Sequence, residues 1–425
     1  MKGRFSTNEF DLPTQDNVGK LTSATIQLWK MMKSKMLPTP SKFHYVFNMR
    51  DLSRIFQGIL LTPKESIRSG GLMQERGQIK NFESSKMLIG LWKHECDRVF
   101  CDKPTTDIDK AAYEDFISEI GSNTFGENTF HEVCSNPKNT VSFLRDDTYD
   151  EDGAMTEEAP NVYEDGGSLE SIRERSYMFL KKYNAEHPSK KMDLILFEDA
   201  LKHLIRISRL LETPRGSGLL VGVGGSGKQS LTRLAAFMSK SRCFQISLTK
   251  QYSTASLLDD IREMYISAGH KEQSTTFLST ESEIKYEIVL ETINSILSTG
   301  KIPGLFAKDE MLAMTADLRL DFLKDRPGHE ETPDNLRQYF IDCVRDNLHI
   351  TLCMSPLNPK FPVRARKFPS LISCPTVDWF LGWPEEALVS VSQGLIENFE
   401  LDCTPKVKES LIQHMGMVHK MVVDV

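Results

Sequence analysis

Apolar residues recur along this chain with two spacings, and the change from one to the other divides it. Before residue 212 the spacing is helical. Leu21 to Met36 is amphipathic and stops at Pro38 and Pro40, and Asp51-Leu-Ser-Arg-Ile-Phe-Gln-Gly-Ile-Leu predicts a helix closed by Pro63. Leu88, Leu91, Trp92 and Cys96 share one face across Ser85 to Val99, and Ser168 to Tyr183 and Phe197 to Leu211 read as further helices. From Gly218 onward, short apolar runs of strand length alternate with helical stretches. The strands are Gly218 to Val221, Cys243 to Leu248, Thr275 to Ser279, His349 to Met354 and Leu371 to Cys374. Helices are expected at Thr254 to Ile266 and Lys285 to Leu297, then at Pro384 to Glu397 and Lys406 to Met421. Strand–helix alternation implies an α/β fold, a mostly parallel sheet flanked by helices.

Composition narrows the class. With 425 residues, 40% of them hydrophobic, the chain is long enough for two or three domains. The divisions expected are a small helical lid at 1–75, a helical connector at 76–140, an acidic linker or insert at 141–167, a nucleotide-binding domain at 168–385, and further helices at 386–425. Both ends look cut. A net charge of −7 argues against a dedicated nucleic-acid binder. No run reaches the ~18 apolar residues of a membrane span, and Met1-Lys-Gly-Arg-Phe-Ser has no signal-peptide core. The eight cysteines stand singly with no Cys-x-x-Cys pair, so neither zinc nor a disulfide framework is expected and a reducing compartment fits. Asp146 to Asp165 carries no basic residue and reads as a solvated loop or linker.

The chemistry concentrates in Gly218-Leu-Leu-Val-Gly222-Val223-Gly224-Gly225-Ser226-Gly227-Lys228-Gln229-Ser230. Against the P-loop pattern G-x-x-x-x-G-K-[ST], Gly222, Gly227 and Lys228 fall in register. Gln229 stands where a magnesium-binding hydroxyl is expected, and Ser230 comes one residue late. A strand ending in glycines lets successive N–H groups curl around an anion. The helix beginning at Ser230-Leu-Thr-Arg-Leu adds its N-terminal dipole, and Lys228 reaches the outer phosphates as a point charge. The bland alternative is a glycine-rich turn that binds nothing.

A P-loop needs a partner strand ending in carboxylates that support magnesium and polarise the attacking water. Thr276-Phe-Leu-Ser-Thr-Glu281-Ser-Glu283 is the candidate, with Glu281 supporting the metal through water in place of the usual aspartate. Glu283 and Glu287 are candidates to approach the γ-phosphate, and an ordinary solvated helix surface accounts equally for both. The expectation is nucleotide binding with weak or absent hydrolysis. Ser355, ending the His349 strand, stands where a γ-phosphate sensor is often placed; a plain Ser-Pro turn also explains it. Arg364 and Arg366 lie in a polar, proline-punctuated loop, as soluble surface or as residues acting in trans on a neighbour's phosphates.

Several long stretches resemble one family. Phe43-His-Tyr-Val-Phe-Asn-Met-Arg50-Asp-Leu-Ser-Arg54-Ile-Phe-Gln-Gly resembles the lid of the third AAA+ module of dynein heavy chains, and Leu88-Ile-Gly-Leu-Trp-Lys-His-Glu-Cys the stretch after it. Thr213 through Ala235, Val344 through Pro356 and Phe368 through Leu388 resemble the fourth module. The matches cover most of residues 20–420 apart from the acidic insert, and the wording is closest to axonemal chains.

The resemblance implies a P-loop AAA+ module preceded by the helical lid of a partial upstream module, with the module's own lid beginning at 386. It implies that Lys228 binds ATP or ADP with Mg2+, and that the G-K-Q-S ending belongs to the module's usual form. Arg364 or Arg366 would be the finger, and Arg50 or Arg54 the lid arginine, that face the third module's nucleotide. The parent would be a minus-end-directed microtubule motor of the axoneme in cilia, a cytoplasmic and cytoskeletal protein. Its partners would be other AAA+ modules, intermediate and light chains and microtubules, with no nucleic acid and no membrane. The main ATPase module, stalk and microtubule-binding tip would lie outside this chain, which reads as a fragment or short isoform. Two other readings stand beside it: a stand-alone P-loop ATPase that remodels partners, and an interaction scaffold with a vestigial site.

Overall fold

A computed structural model describes residues 2–5, 10–75, 83–150, 155–284, 286–397, 399, 401 and 403–423. At its centre lie five strands: β1 (Gly218–Val221), β2 (Arg242–Phe244), β3 (Thr275–Thr280), β4 (Leu348–Met354) and β5 (Thr376–Trp379). They run in the order β2-β3-β4-β1-β5, every pairing parallel, with Val221 in register with both Met354 and Trp379. All seven residues of β4 are buried, which is why its sequence is a continuous run rather than an alternation. Two of the hydroxyls that made β3 look weak have partners, Thr276 Oγ1 lying 2.7 Å from Ser241 Oγ and Thr275 donating to the Gln273 carbonyl at 3.1 Å, while Ser279 Oγ is buried without one.

The α-helices of seven residues or more, in chain order, are α1 (Leu12–Lys35), α2 (Met49–Leu61), α3 (Ser84–Cys96), α4 (Asp107–Phe125), α5 (Glu127–Ser135), α6 (Leu169–Glu186), α7 (Glu198–Glu212), α8 (Lys228–Met238), α9 (Thr254–Tyr265), α10 (Glu287–Thr299), α11 (Lys308–Asp317), α12 (Arg319–Asp325), α13 (Pro333–Asn347), α14 (Lys360–Lys367), α15 (Glu385–Glu397) and α16 (Pro405–Val423). The pleat sorts the sheet's side chains between two cores. Leu219 and Val221 join Ile261, Ile293 and Phe340 from α9, α10 and α13, while Leu220 and Leu278 join Leu204 and Leu234 from α7 and α8. Helices therefore cover both faces.

Helices α1 to α5 surround a third core containing Leu28, Ile55, Trp92, Tyr113 and Phe130. The Trp92 indole N–H donates to Thr25 Oγ1 at 2.9 Å, so the largest side chain is buried with its polar atom satisfied. Asn48 starts α2 with a capping box, accepting from Arg50 N at 2.8 Å while Asp51 accepts from Asn48 N at 3.0 Å. This helical unit bears on the α/β unit directly. Asn48 Nδ2 donates to the Ser373 carbonyl at 3.0 Å, Gln57 Nε2 to Pro214 at 3.1 Å, and the Arg206 guanidinium pairs with Asp102 at 2.9 Å.

Three expectations change. Leu371 to Cys374, expected as a strand, is a helical turn (Ser370–Ser373), and the strand begins two residues later at Thr376. The side chains of Leu371 and Ile372 are buried either way, and a short apolar run does not distinguish the two conformations. Arg364 and Arg366 lie on α14, not in a loop. The acidic block ends buried rather than solvated: Glu164 accepts from Arg145 Nε at 2.9 Å and from Leu72 N at 2.7 Å, and Asp165 pairs with Lys138 at 2.8 Å. The countercharges precede the block in sequence, so its own composition concealed them. Among the described residues no helix is long and apolar enough to cross a membrane.

Candidate functional site

The chain leaves β1 at Val221 and turns sharply. Gly222 donates its N–H to the Met354 carbonyl at 3.1 Å, and a Cβ there would lie 2.7 Å from Phe380 Cβ, so no side chain fits. Gly225 and Gly227 hold φ of +81° and +82°, a region favouring glycine. Helix α8 starts immediately afterwards with no side-chain cap, leaving its first N–H groups directed at the loop's concave side. Lys228 is buried and donates to the carbonyls of Gly222 and Val223, both at 2.7 Å, and to Ser226 Oγ at 2.8 Å. Burial pulls its ammonium below the usual lysine range.

The loop forms one wall of a cleft of about 390 Å³ at the C-terminal ends of β1, β3 and β4. Gly222, Gly224 to Ser230, Glu281 and Ser355 all line it, together with Arg233, Thr280 and Cys353, which sequence reasoning had not singled out. Glu281 follows β3 directly, and its Oε1 is buried with no hydrogen-bond partner. An orphaned carboxylate oxygen opposite a lysine and a row of helix N–H groups fits a phosphate accompanied by a divalent cation.

Glu283 does not line the cleft. Its Oε1 accepts from Gln245 Nε2 at 2.6 Å and its Oε2 from Thr280 N at 3.0 Å. Glu287 is exposed and paired with Lys367. Ser355 Oγ accepts from Leu357 N at 3.3 Å, so it also serves the turn that ends β4.

A second cavity, of about 310 Å³, opens at the opposite end of the sheet, where Ser217, Leu348 and Thr376 begin or precede their strands. Arg50 and Arg54 reach it from α2, and Arg98, Arg215 and Arg345 complete a ring of five guanidinium groups. Arg54 is tied to Asp51 at 3.1 Å, Arg98 to Glu95 at 2.5 Å and Arg215 to Asp346 at 2.6 Å. The Arg50 Nη1 atom lies 2.9 Å from Cys374 Sγ. Arg364 and Arg366 are not among its lining residues. Arg366 is exposed and donates to its own helix at Pro362, and Arg364 Nη1 is buried without a partner. Sequence reasoning missed Arg98, Arg215 and Arg345, because nothing local marks an arginine as part of a ring.

Residues 192–425 match the family described as the P-loop containing dynein motor region D4, and residues 21–131 match the AAA+ lid domain. Dynein axonemal heavy chain 5 of Rattus norvegicus is 44% identical over 414 residues, 96% of this chain and 11% of that protein. Dynein axonemal heavy chain 8 of Mus musculus is 40% identical over 419 residues, 96% of this chain and 8% of that one. The dynein gamma chain of the flagellar outer arm of Chlamydomonas reinhardtii is 39% identical over 426 residues, covering 99% of this chain and 9% of its own length. The chain thus spans about a tenth of the length of the relatives it matches.

Proposed function

The chain belongs to the dynein heavy-chain family, in its P-loop motor region, and on that premise we propose that the P-loop cleft is a regulatory ATP or ADP site with weak or no hydrolysis. One observation carries this reading. The phosphate-facing groups of the cleft, Lys228, the α8 N-terminus and the orphaned Glu281 oxygen, are brought together, while Glu283 is tied off by Gln245 and the Thr280 N–H. Binding groups without a positioned base favour retention over turnover. Among the described residues no group of three or more His, Cys, Asp or Glu side chains stands ready to hold a metal. Magnesium would therefore arrive with the phosphates, held from the protein side by Glu281 and Ser230.

The proposal extends to the arginine-ringed cavity, where Arg50 and Arg54 would face the nucleotide of a neighbouring AAA+ module. Residues 1–75 would be the third module's lid, 168–385 the fourth module's α/β domain and 386–425 the start of its own lid, with 76–167 connecting them. Within a full heavy chain this piece would regulate a minus-end-directed microtubule motor of the ciliary axoneme. That chain's partners would be its other modules, intermediate and light chains, and microtubules.

The test is a titration with labelled ATP and ADP, with and without magnesium, on the wild type and Lys228→Ala, alongside a turnover assay. Binding that Lys228→Ala abolishes, with little turnover in the wild type, supports the reading. Fast turnover by this chain alone would point to a self-sufficient ATPase, and no binding at all to a vestigial pocket.

A further inference from the structure

A line of side-chain contacts runs from the helical unit to the first glycine of the phosphate loop. Asp102 lies buried between α3 and α4, and its carboxylate accepts from Arg206 Nε on α7 at 2.9 Å. One turn earlier on α7, His203 sets its Nδ1 2.9 Å from both oxygens of Asp378, a buried residue of β5. The carboxylate makes that nitrogen the donor and fixes the ring's orientation. The imidazole lies flat on the Phe380 ring, with centroids 3.8 Å apart and planes 8° from parallel. Phe380 in turn backs Gly222, where a Cβ would fall 2.7 Å from its own, and donates its N–H to Val221 at 2.7 Å. Asp102, Arg206, His203 and Asp378 all line one cavity of about 190 Å³, and Ser226 lines both that cavity and the P-loop cleft.

We propose that the Asp102–Arg206 and His203–Asp378 pairs couple the helical unit to the shape of the phosphate loop, so that nucleotide affinity at the P-loop cleft follows the charge of Asp102. The inference rests on the reading of the cleft as a nucleotide site. An ionised Asp102 holds Arg206 and leaves Asp378 to His203. A neutral Asp102 releases the guanidinium to Asp378, the next carboxylate acting on it. Arg206 then competes with His203, the imidazole leaves Phe380, and the loop's first turn loses its backing. Burial above all, with Asp378 close by, pushes the Asp102 carboxyl up to about 7 against the pull of Arg206. Asp97, Cys101 and His203 also act on it, and Lys110, Asp199 and Lys202 line the same cavity. The linkage is reciprocal: if ionised Asp102 favours ATP, binding ATP expels a proton from Asp102.

The experiment measures Kd for labelled ATP with magnesium between about pH 6 and pH 8 in the wild type, Asp102→Asn, Asp378→Asn, the double variant and Lys202→Ala. Both amides keep the shape of the carboxylates they replace, so a folding defect in one single variant leaves the other to decide. Wild-type affinity should rise about tenfold across that range, within the span usual for coupled sites. Asp102→Asn should bind at about pH 8 as weakly as the wild type at about pH 6, with most of the pH dependence gone. Asp378→Asn should weaken binding about as much, and the double variant no further, because both break one line of contacts. Lys202→Ala, whose ammonium pairs with Glu198 at 2.6 Å on its own helix, should leave Kd unchanged. Calorimetry in buffers of different ionisation enthalpy should show more protons released on ATP binding by the wild type than by Asp102→Asn, a difference that a merely structural role would not produce. Wild-type affinity in either folded single variant, additive losses, an equal loss in Lys202→Ala or equal proton release overturns the inference alone. Absence of ATP binding by the wild type removes the nucleotide reading and this inference together.

Discussion

The His44 imidazole lies flat against the Trp379 indole, ring centroids 4.3 Å apart and planes 21° from parallel. His44 belongs to the N-terminal helical unit, and Trp379 ends β5, the strand beside the P-loop strand. Its ring Nε2 lies 3.0 Å from the Lys103 carbonyl, Trp379 N donates to Asp102 at 3.1 Å, and the next residue, Phe380, donates to Val221 at 2.7 Å. The stack thus clamps the root of the P-loop to the helical unit.

Burial, with Lys103 and Lys42 nearby, pushes the His44 pKa down to about 4. The folded chain keeps the ring neutral where the unfolded chain protonates it near pH 6.5. Its contribution to stability is whole above that value and is lost as pH falls toward about 4. His44→Phe keeps a ring on Trp379 and removes the titration. Between pH 7 and pH 5 the wild type should lose about 2 kcal/mol more unfolding free energy than the variant in urea titrations. Equal pH dependence in both proteins would rule His44 out.

Gly58 and Glu95 make a second joint that tolerates no added atom. A Cβ on Gly58 would fall 1.8 Å from Glu95 Oε2, the oxygen that receives Arg98 Nε at 2.6 Å. Glu95 is fully buried, with Tyr163 OH on its other oxygen at 3.1 Å, and Arg209 donates to the Gly58 carbonyl at 2.9 Å. Gly58→Ala should therefore displace a buried charge from its partner and cost about 3–5 kcal/mol. Glu95→Gln should cost a similar amount, and the double variant clearly less than the sum, because both break the same contact. Additive losses in thermal or urea unfolding would show that the two residues act separately.

How much of this was legible in the sequence depends on how local each feature is. β1, its glycines, Lys228 and α8 occupy one window, and periodicity, left-handed glycines and the helix start all agree there. Helices α11 and α12 went unassigned because their apolar residues do not form one stripe: Leu312 and Leu320 are exposed while Thr315 and Phe322 are buried. α13 was missed despite a usable signal, Thr332 capping Asn335 N at 3.3 Å ahead of Pro333. The arginine ring runs from Arg50 to Arg345 and exists only through the docking of α2 on the sheet. Glu281 and Glu283 were both expected at the cleft, one for the metal and one for the γ-phosphate, and only Glu281 lines it, because Gln245 Nε2 and the Thr280 N–H engage Glu283.

Glu281 should matter to the metal more than to the nucleotide. Its buried, partnerless Oε1 in the P-loop cleft is an oxygen with coordination to spare. Glu281→Gln should raise the Kd for ATP about tenfold in magnesium and change it little in EDTA, in parallel titrations. A loss of affinity of the same size in EDTA would mean that Glu281 shapes the pocket rather than supports a cation.

The arginine ring gives the last prediction, because its charges are not equally compensated. Arg54, Arg98 and Arg215 each have a carboxylate within 3.1 Å, whereas Arg50 and Arg345 have none among the described residues. Two uncompensated guanidinium groups facing one cavity repel each other, and a polyphosphate between them relieves that cost and accepts bidentate bonds. In a Lys228→Ala background, which silences the P-loop cleft, tripolyphosphate should raise the unfolding temperature by a few degrees, since a ligand that binds only the folded state stabilises it by mass action. Adding Arg50→Ala and Arg345→Ala should abolish the shift, while Arg366→Ala, outside the cavity, should leave it intact. A shift that survives loss of Arg50 and Arg345 would place the anion elsewhere on the surface and detach the ring from any role in facing a neighbour's phosphates.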